Sequence, residues 1–161
     1  MPRFGKRSHE RLSTCHSDLV RLFNLVVRYF DCTVLEGHRG KEKQNKYYAE
    51  GKSKLQWPDG GHNSYPSDAI DTVPYPVRWP DYGKIATVFE EAGLDSKAKA
   101  FLKRKIKIYA KNLARFYFFG GLVLGLAVLM GLKIRWGGDW DSDREVLDQN
   151  FDDLPHFERE D

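Results

Sequence analysis

Positions 117–132 hold no charged residue, and the run closes on Lys133 and Arg135. A stretch this apolar must be covered on at least one side, so any fold for the chain has to be arranged around it. It falls short of the roughly 20 residues a helix needs to cross a bilayer. A buried core helix is therefore expected. A membrane-inserting role is the other reading, because Gly121 and Gly125 have the small-xxx-small spacing of packed membrane helices. Just before the run, Asp95-Ser96 caps a long helix whose Ala98, Phe101, Leu102, Ile106, Tyr109, Leu113 and Phe116 make one stripe. Lys99, Lys103, Lys107 and Lys111 step along another side at four-residue spacing. Residues 97–132 thus read as a basic, then apolar, helical region within one α+β domain, 1–161.

The remaining elements follow from periodicity and punctuation. Ser17 and Asp18 start a helix in which Leu19, Leu22, Phe23, Val26, Val27 and Phe30 recur at helical spacing. Residues 32–36 are β-prone and stop at Gly37, so a short strand delivers His38 and Arg39 to its end. Residues 41–50 read as a polar helix closed by Gly51. Pro58, Gly60, Gly61 and Pro66 keep 52–67 a loop, and 68–73 alternates as a half-buried strand would. After Pro74, Pro76 and Pro80 a helix is expected over 82–92, stopped by Gly93. Residues 133–138 read as strand and turn, 139–153 as an acidic loop, and a last strand is expected around His156.

Net charge is only +3, but it is unevenly spread: there is no acidic residue between Ser96 and Gly138, and the balance reverses from Asp139 onward. Such a stretch fits an anionic partner surface, pairing with the acidic tail, or a solvated helix face. An anionic envelope surface met by the 97–111 helix is one expected partner, while a nucleic-acid partner is not expected and the chain is expected to be a monomer. Cys15 and Cys32 lie in apolar-periodic stretches and read as core thiols rather than a bridge. The basic N-terminus is followed by no apolar segment or cleavage site, so the chain is expected to begin in the cytosol, reaching any target outside the membrane only if something else lets it out. Asp139, Asp141 and Asp143 suggest a calcium loop. However, an EF-hand starting at Asp139 would want Gly and Glu where Arg144 and Asn150 stand, so loop capping is the expectation and an accessory ion site the alternative.

The chemistry lies in two imidazoles and two carboxylates. His62, Asp71 and His156 can supply the three protein ligands of a hydrolytic zinc site that leaves one position open. Asp153, three residues before His156, can serve as general acid and base, and Arg39 offers a fork of donors for a carboxylate or a polarised carbonyl.

The run Gly61-His62-Asn63-Ser64-Tyr65-Pro66-Ser67-Asp68-Ala69-Ile70-Asp71, then Arg135-Trp136-Gly137-Gly138-Asp139-Trp140-Asp141, then Asp153-Leu154-Pro155-His156-Phe157-Glu158, resembles the zinc L-alanyl-D-glutamate peptidases and D-alanyl-D-alanine carboxypeptidases, in their tailed-phage endolysin branch. Glu36-Gly37-His38-Arg39-Gly40 resembles it too. The resemblance implies a compact α+β domain with a central antiparallel sheet carrying the metal, and a zinc cofactor held by His62, Asp71 and His156. It implies Asp153 as acid/base, standing where some members have glutamate, and Arg39 on substrate. The implied substrate is the peptidoglycan stem peptide, cut between L-Ala and D-Glu. The alternatives are a D-Ala-D-Ala carboxypeptidase and a non-catalytic, zinc-stabilised module that binds wall or membrane. One departure is Gly60-Gly61, where family members often carry Ser-Lys with the serine touching substrate.

Overall fold

The computed structural model describes residues 1–80 and 96–160. The helix expected over 82–92, its Gly93 stop and the Asp95 cap lie outside the described residues. The fold is α+β, built on a four-stranded antiparallel sheet in the order β1-β2-β4-β3, with β1 Cys32–Glu36, β2 Ala69–Pro74, β3 Ile134–Trp136 and β4 His156–Arg159.

Helix α1, Lys6–Leu12, has no counterpart in the sequence expectations, because Leu12 is its only buried apolar residue and no periodicity announces it. It serves the sheet edge. The Ser8 hydroxyl accepts from the Val34 amide at 3.2 Å, and Arg11 Nη1 donates to the Val34 carbonyl at 2.8 Å, so the exposed edge of β1 is satisfied by side chains. Helix α2, Ser17–Tyr29, buries Leu19, Leu22, Phe23, Val26 and Val27, the predicted stripe. Its cap is His16, whose Nδ1 accepts from the Asp18 amide, rather than Ser17. Helix α3, Lys41–Ala49, ends before Gly51, which adopts φ +68°.

Strand β2 departs from the expected alternation, since both of its faces are covered and only Asp71 is half-buried. The cause is its position between β1 and β4, with helices on one side and the 52–67 loop on the other.

Helix α4, Ser96–Leu129, is one element of 34 residues, roughly 51 Å at 1.5 Å per residue. It ends on Gly131 at φ +68°, with the Leu132 amide reaching back to the Ala127 carbonyl. The predicted stripe of its first half is met in part: Leu102 and Phe116 are buried and Ala98, Tyr109 and Leu113 half-buried, but Phe101 and Ile106 are exposed. Among the described residues, the packing of α4 on α2, β2 and β3 is centred on its second half.

That second half closes the core. Phe157 meets Phe23 and Phe119 edge-on at 5.5 and 5.9 Å and stacks on Trp136 at 6.3 Å. Each fully buried Phe contributes about 2–3 kcal/mol of burial free energy. Gly120 is required there, because a Cβ would stand 2.7 Å from the Trp136 ring. Cys15 and Cys32 are buried free thiols whose pKa values burial pushes up to about 12, so neither is a nucleophile at neutral pH.

The sheet separates core from chemistry. Ile70 pairs with Phe157 and Phe157 with Trp136, and all three point to the helices. Their neighbours Asp71, His156 and Glu158 therefore point to the opposite face.

Candidate metal centre

Asp71 and His156 are direct cross-strand partners on β2 and β4, and His62 comes from a 3-10 turn, Gly61–Asn63, at the end of the loop. The turn is held by the Asn63 amide on the Gly60 carbonyl at 2.8 Å and by the Arg39 amide on the His62 carbonyl at 2.7 Å. It is also fixed through the ring of His62, whose Nδ1 lies 2.7 Å from the Gly37 carbonyl. A carbonyl can only accept, so His62 carries its proton on Nδ1 and turns the Nε2 lone pair inward.

His156 is oriented in the same manner with its nitrogens exchanged. Its Nε2 donates to Glu158 Oε2 at 3.2 Å, which leaves Nδ1 facing inward. His62 Nε2 and His156 Nδ1 each lie 3.1 Å from Asp71 Oδ1 and 3.3 Å from one another. The three candidate ligand atoms fall within 4.8 Å of each other. Two imidazole lone pairs and a carboxylate oxygen converging this closely repel unless a cation lies among them, and the N, N, O donor set is one that zinc takes. His62, Asp71 and His156 are thus brought together as the sequence predicted.

The electrostatics agree with the geometry. Burial pushes the Asp71 carboxyl up, but the two imidazoles outweigh it and hold the group well below the usual carboxylate range. Burial lowers His156, yet the hydrogen bonds to Asp71 and Glu158 raise it to about 9. Glu158, bonded first to His156 and then to Arg135, is lowered to about 2 and stays ionised. A divalent cation would replace the proton that this cluster attracts.

Glu158 was not among the residues read as functional, although its place two positions beyond His156 on a strand puts it on the same face. Gly37 was likewise read only as a stop. A Cβ there would stand 2.8 Å from Cys15 Sγ and closer still to the Arg11 carbonyl and Thr14 Oγ1, so the carbonyl that orients His62 depends on a glycine. At Gly61 a Cβ would stand 2.9 Å from Glu158 Oε2 and 3.1 Å from Ala69 Cβ.

Arg39 stands beside Asp71 in the wall of the same cleft. Nη2 pairs with Glu36 Oε2 at 2.9 Å and approaches Asp71 Oδ2 at 3.5 Å, Nη1 donates to Gln44 at 3.1 Å, and the guanidinium covers the Tyr47 ring. Its Nε is buried without a hydrogen-bond partner. The bulge between Val34 and Glu36 brings Glu36 opposite Asp71 and completes this arrangement.

Asp153 lines the same cleft of ≈ 990 Å³ as the three ligands and Arg39. Its amide donates to the Gly137 carbonyl at 2.6 Å, and its carbonyl accepts the His156 amide at 2.9 Å, so one tight turn fixes both residues. Gly137 allows the approach, since a Cβ would press on the Asp153 backbone. Burial first, and then the charge of Asp71, raises the Asp153 carboxyl. Trp140 walls the cleft, its ring 5.4 Å from that of His156. Asp139, Asp141 and Asp143 cluster within 4.8 Å and cap their own loop, Asp139 on the Arg144 amide and Asp143 on the Glu145 amide.

The structure is similar to the crystal structure of Serratia marcescens L-Ala D-Glu endopeptidase ChiX, with a TM-score of 0.59 and 23% identity over 98% of this chain and 90% of that one. At this identity the likeness shows the fold. No curated protein sequence matches the chain. The model of the phage L-alanyl-D-glutamate peptidase family matches residues 1–100, which include Arg39, His62 and Asp71. By that match and the site it reaches, the chain belongs to the phage L-alanyl-D-glutamate peptidase family.

Proposed function

We propose that the chain is a zinc peptidase that hydrolyses the L-Ala to D-Glu bond of peptidoglycan stem peptides, as a phage endolysin does. One observation carries the reading: both imidazoles are fixed from behind, His62 by Gly37 and His156 by Glu158, so that their free lone pairs meet Asp71 at one point. A zinc ion held by His62, Asp71 and His156 would supply Lewis acidity to the scissile carbonyl and lower the pKa of water beside it.

The chain's own residues supply the rest. Asp153, ionised, takes a proton from the attacking water and passes it to the leaving D-Glu amine. Its raised pKa suits both transfers better than that of an exposed aspartate. Arg39 holds Asp71 through its second oxygen and sets the charge behind the ligand, which makes it a positioning residue. Family membership favours the endopeptidase over the D-Ala-D-Ala carboxypeptidase, and a half-buried carboxylate in the same cleft as the ligand cluster favours an enzyme over a non-catalytic module.

Asp153→Ala tests the assignment. It should abolish hydrolysis of purified peptidoglycan while zinc still binds in equal proportion to the chain. Turnover comparable to the parent would remove Asp153 from the reaction.

A further inference from the structure

We propose that α4 seats the domain on an anionic phospholipid surface, with the cleft facing away from the bilayer. The proposal is independent of the peptidase reading. It begins from the outward stripe of the helix. From Ala114, steps of four and three residues reach Phe118, Gly121, Gly125 and Val128, all exposed, with Phe118 at 70%, Val128 at 72% and the adjoining Leu129 at 83%. A Cβ on Gly121 or Gly125 would meet nothing within 4 Å, whereas one on Gly120 would strike Trp136, so nothing in the described domain explains the two outer glycines. An outward helix face in water is normally polar, and a core helix is mostly buried. Here an 18-residue window long and apolar enough to cross a membrane is only 28% buried.

The same stripe continued toward the N-terminus is cationic, with Lys111, Lys107, Arg104 and Lys97, all exposed. Among the described residues none of them is ion-paired with a carboxylate, and α4 contains no acidic residue. One line along one helix thus offers positive charge that is unpaired among the described residues and, beyond it, unburied hydrocarbon.

Of the surfaces that attract cations, an anionic bilayer also offers an apolar phase for Phe118 and Val128. A wall polymer or nucleic acid meets only the charge. A second copy of the helix would bring another set of lysines to the contact. The inner face, with Phe119, Val123 and Ala127, is part of the core, so the helix lies along the interface rather than crossing it. Because that inner face packs on the sheet side carrying Phe157, and Asp71 and His156 point to the other side, the seated domain presents its cleft outward.

The test is flotation of the full chain with vesicles of phosphatidylglycerol and phosphatidylcholine, against phosphatidylcholine alone. Binding is expected on the first and not the second. Each cation near the surface strengthens binding about fivefold, so Arg104→Glu/Lys107→Glu/Lys111→Glu should weaken it on the order of 100-fold or more. Phe118→Ser/Val128→Ser, with every cation kept, should also lose binding on the order of tenfold or more, and its melting temperature checks that the fold persists. Absence of binding to anionic vesicles overturns the proposal. So does binding that Phe118→Ser/Val128→Ser leaves unchanged, which would mean charge attraction alone, and so does a concentration-dependent dimer that those serines disperse without any vesicle binding.

Discussion

Glu158→Gln and Glu158→Ala probe the orientation of His156 while leaving all three proposed ligands in place. Glu158 Oε2 accepts from His156 Nε2 at 3.2 Å while Oε1 is held by Arg135, and the side chain is 15% exposed. Holding this carboxyl at about 2 rather than 4.5 corresponds to about 3 kcal/mol of interaction with His156 and Arg135 together, partly offset by burial. The share belonging to Arg135 does not act on the metal. The remainder predicts a loss of roughly 10- to 100-fold in zinc affinity, which is the range for carboxylates behind metal-ligating histidines. Gln keeps an acceptor and should fall near the lower end. Ala leaves Nε2–H without one and should fall near the upper. The assay is competition for zinc against a chromophoric chelator at pH 7, with circular dichroism confirming the fold. Affinities within twofold of the parent for both variants would refute the claim that Glu158 fixes the tautomer and direction of His156.

Gly37→Ala forces a Cβ onto the Arg11 carbonyl and Thr14, so it should shift the carbonyl behind His62, lower zinc affinity on the order of tenfold and cost about 1–3 kcal/mol in urea unfolding; unchanged affinity would separate Gly37 from the site. Phe119→Ala empties a site of zero exposure between Phe30 and Phe157 and should cost about 3–5 kcal/mol by the same measurement, with a loss under 1 kcal/mol contradicting the packing described. The Asp153 carboxyl is raised by burial and by Asp71, and it works as a base only when ionised. The acid limb of kcat/KM should therefore lie above the ordinary aspartate value near ~3.9, and a limb at or below it would count against the role. The same raised carboxyl stabilises the fold below its unfolded pKa and loses that contribution as pH rises through the folded one. Asp153→Asn should accordingly melt higher than the parent at pH 7 in chelator, and a lower melting temperature would reverse the sign.

Much of the fold was legible where local preference and tertiary environment agree. β1 has the predicted bounds because its β-prone residues end at a glycine, and α2 shows its predicted stripe because a real surface faces it. The stripe of early α4 was legible in part: Leu102 and Phe116 are buried and Ala98, Tyr109 and Leu113 half-buried, while Phe101 and Ile106 are exposed, because periodicity names a face but not the depth to which each of its residues is covered. The basic, then apolar, helical region read over 97–132 is helical over Ser96–Leu129, because the change in composition near residue 117 leaves the backbone preference unaltered. His62, Asp71 and His156 were readable because their chemistry narrows the choices, but their supports were less so. Glu36 reaches the Asp71 row only through a bulge, and Gly37 matters for the Cβ it lacks, neither of which a residue pattern announces. Glu158 was within reach of simple strand alternation.

The most direct test of the account is the digestion of purified peptidoglycan by the intact chain, followed by mass spectrometry of the fragments, in buffer, in chelator, and in chelator with zinc restored. The account predicts fragments with a new free amine on D-Glu in buffer, their loss in chelator, and their return with zinc. Hydrolysis that persists in chelator, or no new amine under any of the three conditions, would contradict it.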